Sequence, residues 1–408
     1  MIQYNGSNTF IAVADNDDLD FAAADNFTIE AWVKTNSTNR QYSHIIEKGS
    51  SGSNFINYQL MLNYGKFYFL YETAPGSNSK ILLNEVLQTG MWYHVVCSRD
   101  NNYPKIYVNG TLAGTGDYLE ADLRNFYTLT IGAQKVNSTF QNYWDGLIDE
   151  VRIWEGIALN ESTIKDWMHK SITSDHPYYS HLSAYYKFDE GSGIVVNDSK
   201  STNNGTINGG TWNTSSIPIG INGTCLNTTT PTLIGPIGGT ENITITSSPG
   251  NTDNLGLYQF GSVDGVPVSA GETFPGSITK RSNLVWGVFE RGSVTANIIF
   301  DYSNITGISD PSTVKIMKRT DALDATWELT TEDSRDNTAR TISFNNISDF
   351  SEFAIGVGED NPLPVELSSF SADVIDRKVK LEWLTSTEVD NYGFEIERKS
   401  GNKDWNKI

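Results

Sequence analysis

The stretch "WDGLIDEVRIWEG", residues 144–156, decides how the first half of the chain is read. Ile148, Val151, Ile153 and Trp154 ask for burial, and β-branched residues at this density mark a strand. Asp149 and Glu150 stand in its middle. Strict alternation from Leu147 puts Asp149 on the face of Val151 and Ile153. A carboxylate at such a position must be paired, hydrogen-bonded or metal-bound. A β-bulge at Asp149-Glu150 is the other solution, and it would turn one carboxylate outwards.

Working outward, the text from residue 1 to about 215 is short strands between Gly, Asn and Asp turns. "FTIEAWVKT" sets Phe27, Ile29, Ala31 and Val33 against Thr28, Glu30, Trp32 and Lys34, the period of a half-buried strand. "YQLMLNYGKFYFLYE" predicts a hairpin turning at Asn63-Tyr64-Gly65, and "KIYVNGTLAG" another at Asn109-Gly110. One segment breaks the rule. "LNESTIKDWMHKSI" offers Asn160 or Ser162 as an N-cap, with Ile164, Trp167 and Met168 at helical spacing.

The chain has 408 residues, enough for two or three domains, with 12% aromatic residues, 19% charged residues and only 29 Lys+Arg. That balance fits an all-β extracellular protein. A net charge of −20 excludes nucleic acid and anionic membranes as natural partners, while it suits divalent cations. Cys97 and Cys225 fall in different segments, so no disulfide framework is expected, and Cys97 reads as a small core residue. No run is long and apolar enough to span a membrane. "MIQYNGSNTF" lacks the basic start and apolar block of a signal peptide. The expectation is a fragment of a longer secreted or surface-exposed chain.

"FTIEAWVKT", "WYHVVCSRD", "KIYVNGTLAG", "DGLIDEVRIW" and the late "AYYKFDEGSG…DSKSTNNGT" resemble, in order, the laminin-G-like, concanavalin-A-like jelly roll. The resemblance covers residues 1–215. It implies two packed antiparallel sheets, often a structural Ca²⁺, and usually no catalysis. "LIDEVRIW" is similar to the last strand of laminarinase-type jelly rolls, where an Asp in a V-D-x-V-R-V pattern binds Ca²⁺. Asp149 is the matching residue, and Asp189 and Glu190 of "KFDEGSG" would complete the site. The alternative reading has Asp149 accepting from backbone amides and Glu150 paired with Arg152.

Residues 216–230, "SIPIGINGTCLNTTT", read as a linker. Residues 231–358 are again all strand, with segments such as "NLVWGVFE" and "FSEFAIGV" at the spacing of a β-sandwich. They resemble the all-β spacer modules of Bacteroidetes surface proteins. Pro362 and Pro364 mark a hinge. Residues 363–408 resemble the start of a fibronectin-type-III-like module of type IX secretion substrates, in which Trp383 would fill the core.

Catalytic patterns fail. A laminarinase-type site needs two carboxylates on one face of a strand, as E-x-D-x-x-E or E-x-D-x-E. Glu388 and Asp390 are followed by Tyr392 and Gly393 at the matching positions, and Glu395 is one step too far. His44, His94, His169, His176 and His181 form no H-E-x-x-H, and no G-x-S-x-G elbow occurs. His94, on a strand, reads as a hydrogen-bonded structural residue. "DNDDLD", Asp15 to Asp20, lacks the Gly and the spacing of an EF-hand loop and reads as an acidic turn. For sugar stacking, the aromatic candidates are Trp32, Tyr68 and Trp144. The expectation is a non-catalytic module that binds a glycan or another surface protein. The alternative is an accessory region of a larger secreted hydrolase.

Overall fold

The computed structural model describes residues 1–50, 57–74 and 77–220, and beyond them 222–225, 232–234, 242–247, 255–260, 271–290, 294–303, 305, 308–358, 366–375, 378–387, 396–398 and 406–407. They form two compact units. One holds Met1–Pro231 with Pro249–Tyr258 and Phe289–Val294, and the other holds Thr232–Ser248, Gln259–Val288 and Thr295–Ile408.

The first unit contains two large antiparallel sheets. Sheet A holds β1 (Ile2–Asn5), β3 (Phe27–Thr35), β8 (Trp92–Asp100), β9 (Tyr103–Val108), β10 (Thr111–Thr115), β14 (Asp145–Glu155), β15 (Leu182–Tyr186) and β18 (Thr211–Trp212). Its order is β10-β9-β8-β3-β14-β1-β18, with β15 also against β14. Sheet B holds β2 (Phe10–Val13), β4 (Ser43–Lys48), β5 (Asn57–Asn63), β6 (Lys66–Ala74), β7 (Ser77–Leu82), β11 (Leu129–Ile131), β16 (Val195–Val196) and β17 (Gly205–Asn208), in the order β16-β17-β2-β11-β4-β5-β6-β7. A separate hairpin joins β12 (Gln134–Val136) and β13 (Thr139–Gln141).

Period-two patterning builds the core. Phe27, Ile29, Ala31 and Val33 of β3 are buried in one cluster with Tyr58, Leu60 and Leu62 of β5 and Phe67, Phe69 and Tyr71 of β6. The turns are local chemistry: Asn109 and Gly110 both take positive φ, 48° and 81°, as a two-residue hairpin requires.

β14 departs from strict alternation. Asp149 pairs with Trp32 and Arg152 with Glu30, so three steps on β14 oppose two on β3. This is a β-bulge, and Glu150 carries its positive φ of 51°. The extra residue returns Val151 and Ile153 to the core while Asp149 lies on the outer face with Trp32. The core-face placement of Asp149 is therefore corrected. The bulge does turn the carboxylate off the core face, but that face is itself covered, and Asp149 and Glu150 are both buried. The opposite edge of β14 is shared. β1 pairs with residues 145–148 and β15 with 151–154, and the bulge falls between them.

The outer face of sheet A is covered. Trp154, Leu182 and Tyr185 pack with Leu159, Ile164 and Ile172 in a second apolar cluster. Ile164 belongs to α1 (Glu161–Trp167), whose N-cap Asn160 accepts from the Thr163 N–H. Part of the expected linker packs here too. Ile217 and Ile219 sit against Trp32, Trp92 and Met168, and Trp92 Nε1 donates to Ser216 Oγ at 3.2 Å.

In the second unit, Lys280–Glu290, Glu352–Val357, Lys315–Arg319 and Glu328–Leu329 pair in that order. A second sheet runs Thr232–Ile234, Asn242–Ser247, Ala296–Asp301, Thr341–Ile347, Ser334–Asp336. Phe300 of the second sheet lies 5.5 Å, ring to ring, from both Trp286 and Phe353 of the first. Glu366–Ile375 and Lys378–Thr387 form a hairpin. Trp383 is 38% exposed on it, not enclosed between sheets as expected, because among the described residues these two strands pair only with each other. Glu388, Asp390, Tyr392, Gly393 and Glu395 lie outside the described residues.

β15 shares an edge with β14 and places Ala184 and Tyr186 in the main core. A chain ending at Asp175 is therefore expected to lack a cooperative thermal transition. Calorimetry of residues 1–175 checks this, and a soluble, cooperatively melting product would refute it.

Candidate functional site

The outer face of sheet B carries a groove. Because Phe67, Phe69 and Tyr71 of β6 point inward, Tyr68 and Leu70 point away from the core. Pairing aligns these outward residues in rows. His44, Met61, Tyr68 and Leu82 lie side by side across β4 to β7, then Gln59, Leu70 and Lys80, then Glu72 and Asn78.

The β12–β13 hairpin forms the wall. Glu47 Oε2 accepts from the Lys135 N–H at 2.8 Å, Ser50 Oγ accepts from the Asn137 N–H at 3.0 Å, and Phe140 stacks on Phe10 at 4.0 Å. Gln134, Gln141 and the adjoining Asn142 face Tyr42 and Tyr68 across a cavity of about 730 Å³.

The polar groups of this groove are pre-set. Gln134 Oε1 accepts from Asn142 Nδ2 at 2.6 Å and Gln141 Nε2 at 3.2 Å. His44 is buried, and desolvation holds its imidazole down to about 4, so it is neutral at physiological pH. Its Nε2 lies 2.9 Å from Gln59 Oε1 and donates to it. Burial, then the neighbouring Tyr42 and Glu72, raise the Tyr68 hydroxyl, which stays protonated. Glu72 is the one carboxylate among the described lining residues. A glycosidase needs a pair.

Of the three aromatic candidates, only Tyr68 reaches this groove. Trp32 is fully buried on the outer face of sheet A, where its Nε1 donates to Met168 O at 3.0 Å. Trp144 is fully buried in the main core, its Nε1 donating to Leu147 O at 3.2 Å. Neither can stack on a ligand, since the layer behind sheet A and the core itself enclose them. Sequence reading missed the other groove residues, among them Tyr42, Gln59, Gln134 and Asn142. For Gln59 the signal was present: it stands between core residues Tyr58 and Leu60, as a polar outward position on a two-sided strand must.

The acids expected to hold Ca²⁺ are differently engaged. Asp149 Oδ1 accepts from the Glu150 N–H at 3.1 Å and Oδ2 from Ser215 Oγ at 2.6 Å. Glu150 pairs with Arg152 at 2.7 Å and also accepts from the Tyr185 hydroxyl. Glu30 extends this buried network, accepting from Trp154 Nε1 at 2.9 Å and meeting His94 Nε2 at 3.1 Å. Asp189 is exposed, and Glu190 Oε1 accepts from the Asn197 N–H at 2.7 Å. Among the described residues no three His, Cys, Asp or Glu side chains are grouped to hold a metal ion.

The fold is thus an antiparallel jelly-roll sandwich with a polar, aromatic groove on one outer face. Residues 5–165 match the family model of the Concanavalin A-like lectin/glucanases superfamily. No curated protein matches the chain. Among solved structures, a Bacteroides ovatus protein proposed to bind carbohydrate is 24% identical, with a TM-score of 0.42, over 54% of this chain and 61% of that one. The chain thus spans less than two thirds of that protein's length. The native heptameric SAP-like pentraxin of Limulus polyphemus is 18% identical, over 40% of this chain and 80% of that one, with a TM-score of 0.31. The CBM40 of the Ruminococcus gnavus IT-sialidase is 17% identical, over 34% of this chain and 79% of that one, with a TM-score of 0.30.

Burial, helped by the Glu150 charge, pushes the Asp149 carboxyl from 3.8 up to about 8. Between those values the folded chain holds a proton that the unfolded chain has released, so this group lowers stability as pH rises through the window. Asp149→Asn mimics the protonated acid, with a carbonyl for the Glu150 N–H and an amide donor for Ser215. The variant is expected to melt at or above the wild-type temperature at about pH 8, with a smaller loss between about pH 5 and 8. Calorimetry across that range checks it. A lower melting temperature for the variant, with Ca²⁺ dependence in the wild type, would instead favour a metal at Asp149.

Proposed function

We propose that the first unit is a non-catalytic, extracellular carbohydrate-binding module, and that its ligand lies in the groove around Tyr68. The carrying observation is the groove on sheet B: Tyr42 and Tyr68 stand beside amides already oriented by hydrogen bonds. An aromatic face stacks on the C–H face of a sugar ring, and planar amides supply paired donors and acceptors to its hydroxyls. Pre-ordered groups lose less entropy on binding. The family model that matches residues 5–165 names lectins beside glucanases, and its lectins support the sugar-binding side of the reading. The single lining carboxylate, Glu72, favours binding over hydrolysis.

The remaining strands fit the role of spacers in a longer secreted array. In that reading residues 231–358 are an all-β spacer and 363–408 belong to a fibronectin-type-III-like module of a type IX secretion substrate.

A glycan array probed with the chain tests the proposal. Tyr68→Ala is expected to weaken any hit about tenfold or more, the loss of one stacked ring. Tyr103→Ala, an exposed tyrosine away from the groove, is expected to leave binding unchanged. Binding that survives Tyr68→Ala, or reducing-sugar release from a bound glycan, would overturn the reading.

A further inference from the structure

The acidic turn Asp15–Asp20 has a cation of its own. Asp15 and Asp20 flank a 3-10 turn, Asp17–Leu19, capped by Asn16, whose side chain accepts from the Asp18 N–H. The turn directs both flanking carboxylates to one point, and Lys48 fills that point. Its Nζ lies 2.6 Å from Asp20 Oδ1, 2.8 Å from Asp15 Oδ1, 2.9 Å from Asn125 O and 3.3 Å from Asn125 Oδ1.

Three features set this apart from an ordinary surface ion pair. The Lys48 side chain is 0% exposed, and Asp20 is nearly enclosed. An ammonium has three N–H donors, yet four oxygens, from three side chains and one backbone carbonyl of three residues, surround it. Charge is also uneven, with two carboxylates against one ammonium. A shell of carboxylate, amide and backbone oxygens is what a hard divalent cation takes, and Asp15, 37% exposed, leaves a side open for water ligands. The same oxygens join separate parts of the chain, since Asp20 Oδ1 also accepts from the Asn125 N–H at 3.2 Å.

We propose that Lys48 is a tethered cation, filling an oxygen cage at Asp15, Asp20 and Asn125 that would otherwise take Ca²⁺, so that the first unit folds without a metal. A covalently held ammonium is present at unit stoichiometry, whereas an ion from solution stabilises only in proportion to ln(1 + [L]/Kd). The inference is independent of what the groove binds.

The test is thermal melting of the whole chain with millimolar Ca²⁺ or with EGTA, and calorimetric titration with Ca²⁺ alone. The wild type is expected to melt at the same temperature in both and to show no heat of binding. Lys48→Ala is expected to melt lower, or to be unfolded, in EGTA. Millimolar Ca²⁺ should raise its transition by about 5 °C or restore it. Lys48→Ala with Asp20→Asn has one charge fewer in the cage and is expected to bind Ca²⁺ at least about tenfold more weakly. Ca²⁺ stabilisation of the wild type overturns the proposal. So does a Lys48→Ala chain that Ca²⁺ neither binds nor rescues, or an unchanged Ca²⁺ response in the double variant.

Discussion

The sandwich depends on one strand satisfying three neighbours. β14 pairs along its length with β3 and, on its other edge, with β1 and β15 end to end. A regular strand would carry one side-chain phase through both halves. The bulge at Asp149-Glu150 resets the phase, so that Ile148, Val151 and Ile153 all reach the core. Leu147, Asp149, Arg152 and Trp154 then share the outer face. The bulge costs a left-handed non-glycine residue, a conformation of the order of 1 kcal/mol or more. The Glu150 side chain is held in return by Arg152 and Tyr185.

This reset divides the labour of the two sheets. Polar residues that β3, β8 and β14 turn away from the core become a buried network of Glu30, His94, Glu150 and Arg152, roofed by the segment that includes α1. Arg152 carries the positive charge against Glu30 and Glu150, so removing it would strand buried carboxylate charge. It is poorly suited to receive a ligand. Sheet B has the opposite arrangement: its outward rows meet a hairpin at one side, and a cavity remains. Which outer face is open to a ligand is therefore set by which face is roofed, more than by which residues are aromatic.

That explains how far the sequence could be read. Period two placed Phe27, Ile29, Ala31 and Val33 in the core, because alternation is a property of the strand itself. The Asn160 cap of α1 and the Asn109-Gly110 turn were legible for the same reason, each resting on contacts within a few residues. Trp32 and Trp144 were misjudged because exposure is set by what lies over a strand. For Trp32 that includes Met168, far along the chain. The Asp149–Ser215 contact was hidden for the same reason, since the two residues are 66 positions apart. The groove wall was hidden similarly, as Gln134 and Asn142 meet β4 and β5 only after sheet closure.

The buried charges share one logic. Burial of a carboxylate or an ammonium is tolerated only when a partner and hydrogen bonds replace the lost water. At Glu150 the partner is Arg152, two residues away on the same strand. At Asp149 it is a hydroxyl, with the proton retained against burial. At Asp15 and Asp20 it is the ammonium of Lys48. Glu150, Asp15 and Asp20 are met by a cation from the same chain, while at Asp149 the retained proton removes the charge. A chain with 49 acidic and 29 basic side chains has few cations to spare. It has placed Lys48 and Arg152 where the core would otherwise face uncompensated carboxylates.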